Sequence, residues 1–228
     1  MPVASSPAQF AALADGSLDA GLTSPDNVLG HRGTVDVTVL AAIDRGMGLG
    51  LYSKLTDDEL RGAAFGVDVP TSGFAFAMYA ITDSLGLPRS GYRLVTLGST
   101  PKRLRALLAG ECAATMLNAG NELHAEAAGY RVVGRPPQPY LGTVLVALTD
   151  QPELTTALVA TADAIRAGEL DDVVIEEAAD ALELSGELAG RYLSRLKSPA
   201  EGLVPGGEID QAAMRTIEDL RRKYGPDR

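Results

Sequence analysis

Val3-x-Ser5-Ser6-Pro7-x-x-Phe10 is answered 94 residues later by Leu97-x-Ser99-Thr100-Pro101-x-x-Leu104. The correspondence runs on without a gap. Ala12-Leu13-x-x-Gly16-x-x-x-Ala20-x-Leu22-x-Ser24-x-x-Asn27-x-Leu29 matches Ala106-Leu107-x-x-Gly110-x-x-x-Ala114-x-Met116-x-Asn118-x-x-Asn121-x-Leu123. Eight of the 27 aligned positions are identical, where average residue usage gives roughly two. A repeat this long and this widely spaced implies two similar α/β lobes, not a solenoid of short units. Two lobes imply a cleft, and a cleft is where a small ligand binds.

Working outward, the first copy reads as a strand at 2–5, then a helix to about Ala14 with Ser6 at its N-cap and Pro7 at the first helical position, where a missing N–H is harmless. Gly16 ends that helix, 18–22 is a strand, and Ser24-Pro25 opens another helix. The β-branched run 34–43 suits a buried strand, and 47–52 continues extended. A charged link at 56–62 follows. Strands are expected at 63–69, 92–97, 112–117, 130–133 and 141–148, and helices at 71–85, 101–109 and 118–128. The Pro-rich segment 135–140 is an irregular loop, and from Gln151 onward apolar residues recur at helical spacing. Alternating strands and helices argue for mainly parallel sheets covered by helices. The second copy is preceded by a complete strand–helix unit, 63–85, and the first by Met1-Pro2 alone, so one lobe is expected to lack the unit its twin has.

The formal charge of −10 and the absence of a segregated basic patch exclude nucleic acid as a partner. Cys112 stands alone, so no internal disulfide or Cys-rich metal site forms, and it reads as a small core residue on a strand. No apolar run reaches membrane-span length, and no signal peptide is read at the N-terminus.

The helix starts Ser6, Ser24, Ser72, Thr100 and Asn118 each follow a strand, at the ligand edge of a parallel sheet. Their free N–H groups favour an anionic or strongly polar ligand. Thr71, Ser72, Gly73 and Phe74 form the most site-like segment, with close backbone approach at Gly73. Asn27 and Asn121 either bond their own caps or face the cleft. Tyr52 and Tyr140 flank the two crossings and either line the cleft or pack there. His31 and Asp26 are the only acid–base candidates, and no nucleophile accompanies them. The acidic group Asp171, Asp172, Glu176 and Glu177 lacks the neutral oxygen ligands of a metal loop, and no phosphate-binding loop occurs, so neither metal nor cofactor is expected.

Three stretches together resemble ABC-transporter solute-binding proteins of the nitrate/sulfonate/taurine and NMT1/THI5-like group. They are Gln9-x-x-x-Leu13-x-x-Gly16-x-x-Asp19-Ala20-x-x-Thr23-Ser24-x-Asp26-Asn27, Val67-Asp68-x-Pro70-x-Ser72-Gly73-Phe74, and Gly98-Ser99-Thr100-x-x-Arg103-x-x-Ala106-Leu107-x-x-Gly110. Gly207-x-Ile209-Asp210 and Asp219-Leu220-Arg221-x-x-Tyr224-Gly225 extend the likeness to the C-terminus. The resemblance implies a two-lobed type II periplasmic-binding-protein fold, with lobe 1 formed by 1–53 and 149–228 and lobe 2 by 54–148. It implies that Ser24, Asn27, Thr71, Ser72, Gly73 and Asn118 face the cleft, joined in the expected ligand set by Ser5, Phe74 and Tyr140. The expected function is capture of a small polar or anionic organic solute for an ABC-type uptake system, with a permease as partner and an extracytoplasmic location if a signal segment precedes the chain. The alternative is a biosynthetic enzyme on the same fold, which the unread signal peptide keeps open. Hinge motion is expected near 50–56 and 140–148. The incomplete lobe invites self-association.

Overall fold

The computed structural model describes residues 5–226. The repeat is visible as geometry. Helix α1 (Ser6–Ala14) and helix α4 (Thr100–Leu108) are offset by 94 residues at both ends. So are the strands that follow them, β1 (Ala20–Thr23) and β6 (Ala114–Leu117). Gly16 and Gly110 end the two helices with φ of 76° and 75°, a left-handed turn that glycine adopts without a Cβ penalty.

The intervening elements are α2 (Pro25–His31), β2 (Thr38–Asp44), β3 (Gly50–Ser53), β4 (Ala64–Val67), α3 (Gly73–Ser84) and β5 (Arg93–Thr96). After β6 come α5 (Asn121–Ala127), β7 (Arg131–Gly134) and β8 (Thr143–Ala147). Helices α6 (Pro152–Ala167), α7 (Asp171–Ala181), α8 (Gly186–Lys197) and α9 (Gln211–Tyr224) complete the chain. The expected strand at 2–5 lies outside the described residues except for Ser5, which is not in a strand.

Two sheets form, in the orders β1-β8-β2 and β5-β4-β6-β3-β7. In the larger, β4 pairs in parallel with β5 and β6, whereas β3 runs antiparallel to both β6 and β7. In the smaller, β1 and β2 both run antiparallel to β8 between them. Strand directions are thus mainly parallel, with one reversed strand inserted in each sheet. The reversed strands are the crossings: β3 follows lobe 1 in sequence but joins the five-stranded sheet, and β8 follows lobe 2 but joins the three-stranded one. The changes of sheet therefore fall at 45–49 and 135–142, ahead of the expected boundaries at 53/54 and 148/149. Burial explains the difference, because Gly50–Ser53 is buried at every position and Thr143–Ala147 at four of five, as interior strands of either sheet would be.

One apolar cluster runs through both lobes, from Leu13 and Val144 through Phe65, Phe76 and Met116 to Ile217 and Leu220 of α9. Helix α9 packs on α2 of one lobe and α3 of the other. No helix among the described residues is long and apolar enough to cross a membrane.

Candidate functional site

Serine caps set the helix starts that meet between the lobes. Ser5 accepts a bond from Ala8 N–H at the start of α1, one residue ahead of the expected cap at Ser6. Ser72 accepts from Ala75 N–H at 3.1 Å to cap α3, while its own hydroxyl donates to Asp68 Oδ1. Ser99 occupies the cap position of α4, so Thr100 lies just inside that helix. These termini line an interlobe cavity of about 770 Å³, with Ser5 and Ser6 facing in from one side and Ser99 and Thr100, their repeat equivalents, from the other. Thr71, Ser72, Phe74, Asp68 and Arg103 complete the five-stranded lobe's wall. Asp26, Asn27, Gly30 and His31 of α2 complete the opposite wall, and Arg221 of α9 enters beside them.

Arg103 is 1% exposed and is the largest fully buried side chain. It donates from Nε to Met116 O (3.3 Å), from Nη1 to Gly98 O (2.6 Å) and from Nη2 to Thr100 Oγ1 (3.0 Å), with its guanidinium 5.3 Å from the Phe74 ring centroid. Its partners are neutral oxygens, and no carboxylate pairs with it among the described residues. Burial draws its pKa down, opposed by the nearby Asp68 charge. A guanidinium carries five donors, and three of them are used in these bonds. The start of α4 adds partial positive charge on the same wall.

Asp26 is 3% exposed and accepts from Arg221 Nη1 at 2.8 Å. Burial raises its carboxyl above the ordinary value, with the Arg221 guanidinium and the Gly73 N–H pulling the other way. A Cβ on Gly73 would lie 2.6 Å from the Asp26 Cβ, so the α3 start and α2 touch there and glycine is required. His31 is engaged elsewhere: Nδ1 lies 2.9 Å from Asn27 O, and the ring stacks on Phe10 at 3.9 Å. A carbonyl only accepts, so Nδ1 donates, and in the neutral ring Nε2 is left as an acceptor. Asp26 and His31, the two acid–base candidates, thus both line the cavity, each held by a bond of its own.

Of the expected ligand set, Ser5, Asn27, Thr71, Ser72 and Phe74 line the cavity. Gly73 sits at its edge against Asp26. Ser24 caps α2 without a side-chain bond and is outside the lining. Asn118 lies ahead of α5, whose N-cap is Gly120, because Ala119 and Gly120 adopt left-handed φ and delay the helix. Tyr140 lines a different cavity, of about 660 Å³, behind the two crossings with Arg45, Arg135 and Glu201. Tyr52 is fully buried and donates to Gly48 O, so it packs at its crossing. Cys112 is buried just ahead of β6 rather than on it. Asn121 donates to Asn118 O, bonding its own helix start. In the acidic group, Asp171 pairs with Lys197 at the start of α7. Arg103, Asp68 and Arg221 stand among the residues of the resemblance, yet none was in the expected ligand set. The available signal was the repeat itself, in which Arg103 aligns with Gln9, a second long hydrogen-bonding side chain.

No protein-family model matches this sequence, and no curated protein matches it significantly. Solved structures do. The alkanesulfonate-binding protein SsuA from Xanthomonas axonopodis pv. citri, bound to MOPS, is 16% identical over 96% of this chain and 80% of its own, with a TM-score of 0.71. The periplasmic aliphatic sulphonate binding protein SsuA from Escherichia coli is 18% identical over 96% and 75%, with a TM-score of 0.70. A Candida albicans gene product exhibiting the generic periplasmic binding protein fold is 14% identical over 96% and 77%, with a TM-score of 0.67. At these identities the likeness is one of architecture: the chain has the periplasmic-binding-protein fold.

Proposed function

We propose that this chain binds a small polar or anionic organic solute between its lobes, as the solute-binding component of an ABC-type uptake system. The observation that supports the reading is Arg103, a buried cation in the cavity lining with no carboxylate salt-bridge partner among the described residues, beside the start of α4. A single exposed helix terminus contributes only about 0.3–1 kcal/mol. A desolvated guanidinium adds a charge-assisted, bidentate contact of roughly twice the strength of a neutral bond. Micromolar affinity needs roughly −8 kcal/mol, within reach of these groups plus apolar contact from Phe74. Contacts from both walls would favour the closed arrangement of the lobes, with the crossings at 45–49 and 135–142 as the hinge. The proposed partner is a membrane permease, and the proposed location is extracytoplasmic, following the roles of the SsuA proteins that share the fold.

Thermal unfolding against alkanesulfonates, nitrate, pyrimidine precursors and aromatic acids tests this. A true ligand at a hundredfold excess over Kd stabilises by about 2.7 kcal/mol, or on the order of 5–10 °C for a chain of this size. Flat melting curves across the whole panel would count against the proposal.

A further inference from the structure

Tyr52, Tyr79 and Tyr92 are buried, and each uses its hydroxyl inside the protein, on Gly48 O, Pro70 O and Thr82 Oγ1. Tyr140 is the fourth buried tyrosine among the described residues, 6% exposed, and its hydroxyl has no hydrogen-bond partner among them. Buried tyrosine hydroxyls ordinarily find one. The oxygen is not sealed in the core as Glu122 Oε2 is, so it keeps an opening, and Tyr140 lines the cavity of about 660 Å³ behind the crossings. Its ring is seated against Gly46 of the opposite crossing, where a Cβ would come within 3.2 Å of Cδ1.

The charges around this cavity are unevenly committed. Arg135 pairs with Glu201 at 2.9 Å, and Glu201 Oε2 also accepts from Gly48 N–H. Asp210 accepts from Ala212 and Ala213 N–H at the start of α9, and Glu208 is exposed. Arg45, half-buried beside Gly46, donates from Nη1 to Leu203 O at 3.2 Å. It has no carboxylate salt-bridge partner among the described residues. A cation and a hydroxyl, both uncommitted, thus share one cavity with the apolar side chains of Leu49, Leu141 and Val204.

We propose that this cavity is a second ligand site, taking a single-headed organic anion with an apolar body. The head bonds the Arg45 guanidinium and the Tyr140 hydroxyl, contacts strengthened by the charge. The body lies on Leu49, Leu141 and Val204. The carboxylates of Glu201, Glu208 and Asp210 line the same cavity and repel a second negative charge. The volume falls within the range of small-molecule sites, roughly 300–1,000 Å³. Both crossings wall the cavity, so under the proposed function a guest there would also bias lobe closure; the binding itself does not rest on that reading.

Hexanoate is the probe, titrated by calorimetry, with hexan-1-ol and adipate as its uncharged and doubly charged counterparts. Hexanoate should bind with millimolar affinity, and hexan-1-ol and adipate more weakly. Arg45→Gln and Tyr140→Phe should each weaken hexanoate by roughly tenfold or more, the loss of a hydrogen bond to a charged group. Tyr140→Phe removes a hydroxyl bonded to nothing among the described residues, so thermal unfolding should stay unchanged. Arg103→Gln, altered in the other cavity, should bind hexanoate as the wild type does. The inference is overturned by no binding at tens of millimolar hexanoate, by hexan-1-ol or adipate binding as tightly, or by wild-type affinity in either Arg45→Gln or Tyr140→Phe. Loss confined to Arg103→Gln would also overturn it, placing hexanoate in the cleft. The same variant keeps the two readings apart, because failure of the cleft to bind solutes leaves the hexanoate result standing.

Discussion

Gln9 and Arg103 occupy the same position in the two copies and make the same bond. Gln9 Nε2 donates to Leu22 O at 3.0 Å, and Arg103 Nε donates to Met116 O at 3.3 Å. Each side chain ties its helix to the strand that follows, so the duplicated scaffold preserves a device as well as a shape. The copies differ in charge. At this matched position only Arg103 carries a charge, and the cation of the opposite wall, Arg221, is paired with Asp26, so under the proposed function a bound anion lies toward the five-stranded lobe.

Arg103→Gln should therefore retain the tie to Met116 O while losing the cation. Under the proposed function, affinity for an anionic solute should fall at least tenfold, about 1.4 kcal/mol, with the far-ultraviolet spectrum unchanged. Titration calorimetry on both proteins measures this, and equal affinities would place the anion elsewhere in the cavity.

Ser72→Ala removes the acceptor for Ala75 N–H and the donor to Asp68. Loss of an N-cap of this kind costs about 1 kcal/mol, or roughly 2–4 °C in Tm for a chain of this length. Ser185→Ala, where the bond to Leu188 N–H is 3.5 Å long, should lower Tm by less.

Glu122 provides a pH test. It is 0% exposed, pairs with Arg195 at 2.9 Å, and leaves Oε2 without a hydrogen-bond partner among the described residues. Burial raises its carboxyl above the ordinary value in spite of the Arg195 charge. Below the unfolded pKa the acid is neutral in both states and resembles glutamine. Above it, the unfolded chain ionises first, so the native protein loses stability relative to Glu122→Gln as pH climbs toward the raised folded pKa. Denaturant melts at several pH values should show the stability difference moving in favour of Glu122→Gln over that window. A difference independent of pH would mean that the folded carboxyl titrates like a free one.

Asp83 accepts from Lys223 Nζ at 2.9 Å and from the Tyr224 hydroxyl at 2.6 Å, and these bonds hold its carboxyl below the usual range. The group is largely solvent-exposed, so Asp83→Asn should change global stability by no more than about 1 kcal/mol. Locally the effect should be larger, with amides of 218–224 exchanging several-fold faster. Unchanged exchange there would show that apolar packing, including Tyr79 against Tyr224 at 5.8 Å, holds the helix end alone.

Most helices and strands of the repeat were legible to within two residues, because caps, prolines and terminal glycines recur at one offset and each carries a local physical meaning; the start of α5, three residues later than expected, is the exception among the described residues. The choice between Ser5 and Ser6 as cap was beyond that signal, since adjacent serines serve equally until the backbone is set. Sheet membership was harder still. Gly50–Ser53 and Thr143–Ala147 are apolar in sequence, and apolarity says that a strand is interior without saying in which sheet. Arg103 was hidden for a related reason. Its place in the stretch Gly98–Gly110 marked the position without assigning it a contact, and its burial arises only when α4 packs across β6.

Helix α9 grips Asp26 on one lobe through Arg221 and Asp83 on the other through Lys223 and Tyr224. Any wide parting of the lobes must release one of these grips first. The grip at Asp26 is buried and the one at Asp83 exposed, so under the proposed closure the bonds at Asp83 would be the first to release. The chain's last helix would then act as a door catch, and the strength of the exposed bonds at Asp83 would set how often the entrance stands ajar.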